Sequence, residues 1–165
     1  MKQVITLRVN GTEYTLAAEP NATLADVLRE ELRFTGVKKG CDDGECGACS
    51  VLLDKCKVIP SCTTLACEVQ GHDITTVEGL KQGDQLHPVQ QAFVDCFAVQ
   101  CGFCTPGMIM ATCALLMEND DPTEDEIRDY LRGNICRCTG YGKIIEAVQE
   151  AARNIRAAKE AVNNG

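Results

Sequence analysis

Residues 3 to 9 alternate, with Ile5, Leu7 and Val9 on one side and polar residues between them; Asn10-Gly11 follows, and Tyr14 and Leu16 resume the alternation. Period two on both sides of an Asn-Gly pair predicts a β-hairpin, because these two residues accept the positive φ of a tight turn. Thr23, with Asp26 three positions on, caps a predicted helix whose apolar stripe is Leu24, Val27, Leu28 and Leu32 and whose stop is Gly36. No period survives from Gly40 to Cys49, after which Val51 to Leu53, Val58-Ile59 and Ile74 to Val77 read as short strands. Beyond Val77 the period becomes helical. Pro88 opens a segment with Val89, Phe93, Cys96 and Phe97 in helical register, and Thr105-Pro106 opens another with Ile109, Cys113, Leu116 and Met117. Thr123 and Glu126 form a capping box for Ile127, Tyr130 and Leu131, and a fourth helix from about Lys143 carries Ile144, Ile145, Val148, Ala152 and Ile155. The pattern therefore predicts an α+β first half and an all-α second half of four helices that suits a small bundle. Apolar content dips between them, from Gly79 to Gly83.

Composition sharpens this picture at one point only. The 165 residues, 45% apolar and 24% charged, are ordinary for a folded chain. A net charge of -8 argues against nucleic acid or an anionic membrane surface as partner, and no apolar run is long enough to span a bilayer. The abnormal figure is 12 cysteines. Met1-Lys2-Gln3 leads straight into the alternating segment with no apolar leader or twin arginine, so a reducing, cytoplasmic setting is expected. There, thiols serve as metal ligands, redox centres or core residues rather than disulfides.

Cys41, Cys46, Cys49 and Cys62 read C-x4-C-x2-C-x12-C. The first three spacings are those of a plant-type [2Fe-2S] site, whose fourth cysteine arrives from a neighbouring strand. Gly40, Gly44 and Gly47 suit a loop that brings backbone amides against anionic sulfur. Cys56 and Cys67 are possible replacements for Cys62, which is expected on a strand and better placed. The second set is Cys101-Gly-Phe-Cys104 with Cys136-Arg-Cys138. These pairs can meet at one end of a bundle, near helix N-termini that favour negative charge; spacing alone leaves both [2Fe-2S] and zinc open. Cys96 and Cys113 are expected as buried thiols. His72 and His87 are expected at surface loops or turns, and no hydrolase, nucleotide-binding or zinc-protease motif occurs.

GCDDGECGAC at Gly40–Cys49, QCGFCTPGM at Gln100–Met108 and GNICRCTGY at Gly133–Tyr141 resemble, over nearly the whole chain, the small iron–sulfur subunit of the molybdenum hydroxylases, the xanthine oxidase family. The resemblance implies a β-grasp, plant-ferredoxin-like domain over about residues 1–78 followed by a four-helix domain over about 79–165, each holding one [2Fe-2S] cluster. It implies electron transfer from a molybdopterin centre in a large subunit, through the helical-domain cluster and then the ferredoxin-like one, to FAD in a medium subunit. It assigns Cys101, Cys104, Cys136 and Cys138 to the cluster nearer molybdenum and Cys41, Cys46, Cys49 and Cys62 to the one nearer flavin. Gln100 and Cys138 match residues that approach the pterin. Two departures, Lys55-Cys56-Lys57 where a Gly-containing turn is common and Gly142 after Tyr141, bear on turn geometry and local packing. Neither the substrate nor the final acceptor is encoded on such a chain.

Overall fold

The computed structural model describes residues 1–163, so residues 164 and 165 of the predicted 79–165 unit lie outside the described residues. Strands β1 (Gln3–Val9) and β2 (Thr12–Ala18) pair antiparallel from Val9↔Thr12 to Gln3↔Ala18. The turn is Asn10 and Gly11, at φ 52° and 81°. Ile5, Leu7 and Val9 are buried as their alternation requires. Three short strands complete a mixed sheet of order β2-β1-β5-β3-β4: β3 (Ser50–Leu53), β4 (Lys57–Pro60) and β5 (Asp73–Thr75), with β5 parallel to β1. The fifth strand ends two residues earlier than the alternation suggests, because Val77 begins a 3-10 turn that runs to Leu80.

Thr23 caps helix α1 (Leu24–Asp26) by accepting from the Asp26 amide at 3.1 Å. The helix then widens into a π-turn, Val27–Glu31. It ends at Arg33, which takes φ 64°, and not at Gly36 as expected. Gly36 has another role: a Cβ there would stand 2.4 Å from Val77 Cγ1, and its amide donates to Glu78 Oε1 at 2.6 Å. Val27 and Leu28 face the sheet with Ile5, Leu7, Val51 and Ile59 in one core.

The other core belongs to four helices: α2 (Pro88–Asp95), α3 (Thr105–Glu118), α4 (Glu124–Leu131) and α5 (Gly142–Asn163). The chain is thus an α+β ferredoxin-like, β-grasp domain followed by an all-α four-helix domain. Every residue of α3 from Gly107 to Leu116 is buried, so this helix is the hub of the bundle. Met117, expected on its apolar face, is 56% exposed. Phe97 also departs from its predicted stripe. Helix α2 stops at Asp95, Phe97 turns left-handed at φ 55° and is 80% exposed, and Ala98 takes the buried place. Leu52 leaves the opposite sheet face to join the helical core, so β3 is covered on both sides.

Candidate metal centre

The loop from Gly40 to Cys49 wraps sulfur with backbone. Cys41 and Cys46 are in side-chain contact, and the Cys46 amide donates to Cys41 Sγ at 3.4 Å. Cys62 contacts Cys49 in the same way, while the Gly44 amide donates to Cys62 sulfur. Cys62 lies in the turn just beyond β4, not on the strand as expected, because β4 ends at Pro60. Burial, reinforced by the Cys49 sulfur, pushes the Cys62 thiol up to about 12. The Asp43 carboxylate pushes Cys41 up, but the Asp43 and Cys46 amides prevail and hold it below its ordinary value. Serines pin the loop's exit: Ser50 Oγ donates to the Gly47 carbonyl at 2.8 Å and Ser61 Oγ to the Cys49 carbonyl at 2.6 Å.

The second set closes at one end of the bundle. Cys104 is the N-cap residue of α3, and Cys136 and Cys138 stand in the turn before α5. Cys101 and Cys138 sulfurs are 3.5 Å apart, and Cys104 pairs with Cys136. Burial and the Cys136 sulfur push Cys104 up to about 12. Burial also raises Cys136, but hydrogen bonds from the Thr139 hydroxyl and amide, the Cys138 amide and Cys104 outweigh it and bring this thiol down to about 7.

The donor set can be tested against a cluster by how the sulfurs group. Each set of four falls into two contacting pairs, Cys41/Cys46 with Cys49/Cys62 and Cys101/Cys138 with Cys104/Cys136. A tetrahedral zinc ion draws all four sulfurs to within about 2.3 Å of a single point. Among the described residues no three Cys, His, Asp or Glu side chains converge on one metal ion in that way. A two-iron cluster asks for two cysteines at each iron, and two contacting pairs fit it.

Of the remaining thiols, Cys113 is buried and Cys96 is half-buried at the end of α2. Cys67 lies 3.7 Å from the Pro20 carbonyl, and Cys56 is exposed in the β3–β4 turn. In that turn Asp54 and Lys55 take φ 49° and 67°, so non-glycine residues accomplish the reversal, and the Asp54 carboxylate accepts from the Asp73 amide at 3.0 Å. Gly142 has open space about it; the left-handed residue is Tyr141, φ 68°. His72 is exposed against Asp54, as expected of a turn. His87, however, is a half-buried N-cap of α2 that accepts from the Val89 amide. Gln100 is exposed beside Cys101.

Several residues that the cysteine spacings do not reveal join the two sets. Ile135 N donates to the Cys46 carbonyl at 2.9 Å, and buried Asn134 donates to the Gly47 carbonyl at 3.2 Å. A Cβ on Gly107 of α3 would lie 2.1 Å from that same Gly47 oxygen, so only glycine lets the helix rest on the loop. Within the second set, Tyr141 Oη accepts from the Cys136 amide at 2.8 Å. All but Gly47 lie within the QCGFCTPGM and GNICRCTGY stretches, and their positions beside the cysteines were the available signal.

Fold and sulfur grouping define a class, the proteins with two [2Fe-2S] domains, and comparison with known proteins gives the family. A 2Fe-2S iron-sulfur cluster binding domain matches residues 7–76, and a [2Fe-2S] binding domain matches residues 76–149. The xanthine dehydrogenase iron-sulfur-binding subunit of Escherichia coli O157:H7 is 48% identical over 147 residues, covering 88% of this chain and 91% of that one. The aldehyde oxidoreductase of Megalodesulfovibrio gigas is 47% identical over 162 residues, 96% of this chain but only 18% of that longer protein. The quinoline 2-oxidoreductase structure from Pseudomonas putida 86 superimposes with TM-score 0.90 at 43% identity, covering 94% of this chain and 97% of that one. The chain belongs to the iron–sulfur subunits of the xanthine dehydrogenase-type molybdenum hydroxylases.

Proposed function

We propose that this chain is the electron-transfer subunit of a molybdopterin-dependent hydroxylase. It passes electrons singly from the molybdenum centre of a large partner, through two [2Fe-2S] clusters, to FAD in a medium partner. The observation that carries the reading is the division of eight cysteines into two sets, each made of two contacting pairs. Cys41, Cys46, Cys49 and Cys62 hold the cluster of the 1–78 domain; Cys101, Cys104, Cys136 and Cys138 hold that of the 79–165 domain. A [2Fe-2S] cluster supplies one-electron storage within a thiolate cage. The chain's own part is to supply the thiolates, aim amides at their sulfur and link the two sites. That link is short: the Cys46 carbonyl accepts from Ile135, whose neighbour in the chain is Cys136. One hydrogen bond and one peptide unit separate the backbones of ligands from the two sets.

The helical set is the one turned outward. Cys101 and Cys138 are exposed, and Val94, Phe97, Val99, Phe103 and Ile135 expose apolar surface in the same segments or at the adjoining end of α2. Apolar surface of this kind favours a subunit over a free-standing two-cluster carrier. Gln100, exposed beside Cys101, and Cys138 then meet the pterin of the large partner. Among the described residues no helix is long and apolar enough to cross a membrane, and the reading places the complex in the cytoplasm.

The test is to express the chain anaerobically, alone and with two larger partners. About four iron and four acid-labile sulfide per chain, with two separate reduced S = 1/2 signals, are expected. With partners, the chain should co-purify at equal stoichiometry and both signals should appear on adding substrate. Stoichiometric zinc without sulfide overturns the reading.

A further inference from the structure

The two sulfur cages differ in the chemical kind of donor that reaches them. In the ferredoxin-like set the donors to ligand sulfur are backbone amides: Asp43 and Cys46 to Cys41, Gly44 to Cys62 and Ala48 to Cys46. The side chain that faces this set's sulfur, Asp43 against Cys41, is a carboxylate. In the helical set Thr139 Oγ1 lies 3.1 Å from Cys136 Sγ, with the Thr139 amide at 3.4 Å from the same sulfur. Among the described residues this is the one hydroxyl on any of the eight proposed ligand sulfurs.

The direction of that bond is settled by its neighbours. Thr139 Oγ1 already accepts from the Tyr141 amide at 3.2 Å, and a ligand thiolate offers no proton, so the hydroxyl hydrogen goes to sulfur. The turn that carries it is held firmly. Gly140 and Tyr141 both take left-handed conformations, φ 65° and 68°. Tyr141 Oη accepts from the Cys136 amide at 2.8 Å and donates to the Asn134 carbonyl at 3.4 Å. Thr139 therefore sits inside a six-residue turn, Cys136 to Tyr141, that is tied at its ends and does not have to be drawn in by the metal.

We propose that Thr139 sets the reduction potential of the helical-domain cluster: its hydroxyl hydrogen bond to Cys136 Sγ stabilises the reduced, more negative form and raises the potential. The inference rests on the ligand assignment above. Charge added on reduction is shared with the ligand sulfurs, and a fixed donor there is one of the levers by which protein sets a cluster potential. Thr139 is a positioning residue in this role, acting through Cys136. The ferredoxin-like cluster, which has amide donors and a facing carboxylate, is not touched by it.

The experiment is an EPR-monitored redox titration of the full chain with both clusters loaded, for wild type, Thr139→Val and Thr139→Ser. Loss of one hydrogen bond to a charged group should lower the reduced-to-oxidised ratio of one cluster about tenfold at fixed potential, or about 59 mV for a one-electron couple. The other signal should not move, and Thr139→Ser should restore the wild-type midpoint. An unmoved midpoint in fully loaded Thr139→Val, or a Ser variant displaced as far as Val, overturns the proposal. Should the Val variant not load the second cluster, Thr139→Ala replaces it in the comparison with Ser. Failure of both apolar variants to load while Ser loads would assign the hydroxyl to cluster retention and overturn the potential-setting role. Wild-type protein without about four iron would instead count against the cluster reading itself, before any titration begins.

Discussion

The ferredoxin-like and helical cysteine sets hold sulfur with different materials. Around Cys41, Cys46, Cys49 and Cys62 the cage is a loop of backbone: Gly44 and Gly47 take φ 87° and 69°, amides point at sulfur, and serines pin the exit carbonyls. Cys49 and Cys62 are buried in it. Around Cys101, Cys104, Cys136 and Cys138 the cage is made of a helix end and a turn, trimmed by the side chains of Thr139 and Tyr141, and two of its four cysteines are exposed. The contrast teaches that enclosure is unequal. In the first site two cysteines are buried and two half-buried, whereas in the second two are half-buried and two exposed.

The strongest way to break this comparison is to remove ligands from each cage in turn. Cys49→Ser or Cys62→Ser should abolish one reduced-state signal, and Cys104→Ser or Cys136→Ser the other, with iron falling from about four to about two per chain, because an alkoxide replaces a soft thiolate poorly. Cys56→Ala and Cys67→Ala should keep full iron; if either loses it while Cys62→Ala does not, the fourth ligand of the inner cage has been misassigned.

Next in size is the seam where the cages touch. Gly107→Ala drives a Cβ to 2.1 Å from the Gly47 carbonyl, a contact with backbone that cannot swing away. Overpacking of this kind should cost about 2–3 kcal/mol in denaturant unfolding, and both EPR signals should broaden, since α3 and the inner loop must separate. A change confined to the outer signal would show that the inner loop does not lean on the helix.

A smaller, kinetic effect follows from unequal exposure. In the isolated chain, an iron chelator should bleach the outer cluster several-fold faster than the inner one, and a co-expressed large partner should abolish the difference. Equal bleaching would refute the unequal enclosure.

Acidification should give the smallest separation. Burial lowers the pKa of His87, in the helical domain, so the unfolded chain takes up a proton near its ordinary value of about 6.5 while the folded one resists. Stability of the helical unit therefore falls as pH drops below about 6.5, and a His87→Asn cap should flatten that slope. In the sheet domain Asp26 is lowered by Lys39 and Thr23, and Asp54 by His72 and the Asp73 amide. Lowered carboxylates contribute stability above their unfolded pKa of about 3.9 and lose it as pH falls through the folded value, so this half should respond only at more acid pH. Melting followed by signals from each half between pH 7 and 4 checks the order.

Local chemistry made much of this readable. Asn10-Gly11 specified its hairpin, the Thr123–Glu126 box placed α4, and the cysteine spacings with their flanking motifs marked the residues that fold into two groups. What was not readable depends on partners distant in the chain. Gly36 looked like a helix stop but is small because Val77 and Glu78 press on it, 41 and 42 positions away. Phe97 continues the periodicity of α2, yet the backbone has already turned left-handed and presents the ring outward. Met117 fits an apolar stripe, but α3 is buried on all sides until its last turn, where the stripe loses its meaning. Asn134 would pass for a polar loop residue; only the fold shows it buried on the Gly47 carbonyl.

The seam at Cys46 and Gly47 also decides how this unit can be cut and moved. Two inner-loop carbonyls are satisfied by Ile135 and Asn134, and α3 rests on one of them through Gly107. A ferredoxin-like half excised at the linker would carry those carbonyls bare and a sheet face stripped of its cover at Leu52. The two domains are therefore a single transplantable cassette. Such a cassette can stand as a separate small subunit, as in the Escherichia coli relative, or occupy 18% of one long polypeptide, as in the Megalodesulfovibrio gigas protein, without its internal joint being remade. Grafts that respect the outer ends should inherit both clusters together; grafts that split the chain between the domains should inherit neither intact.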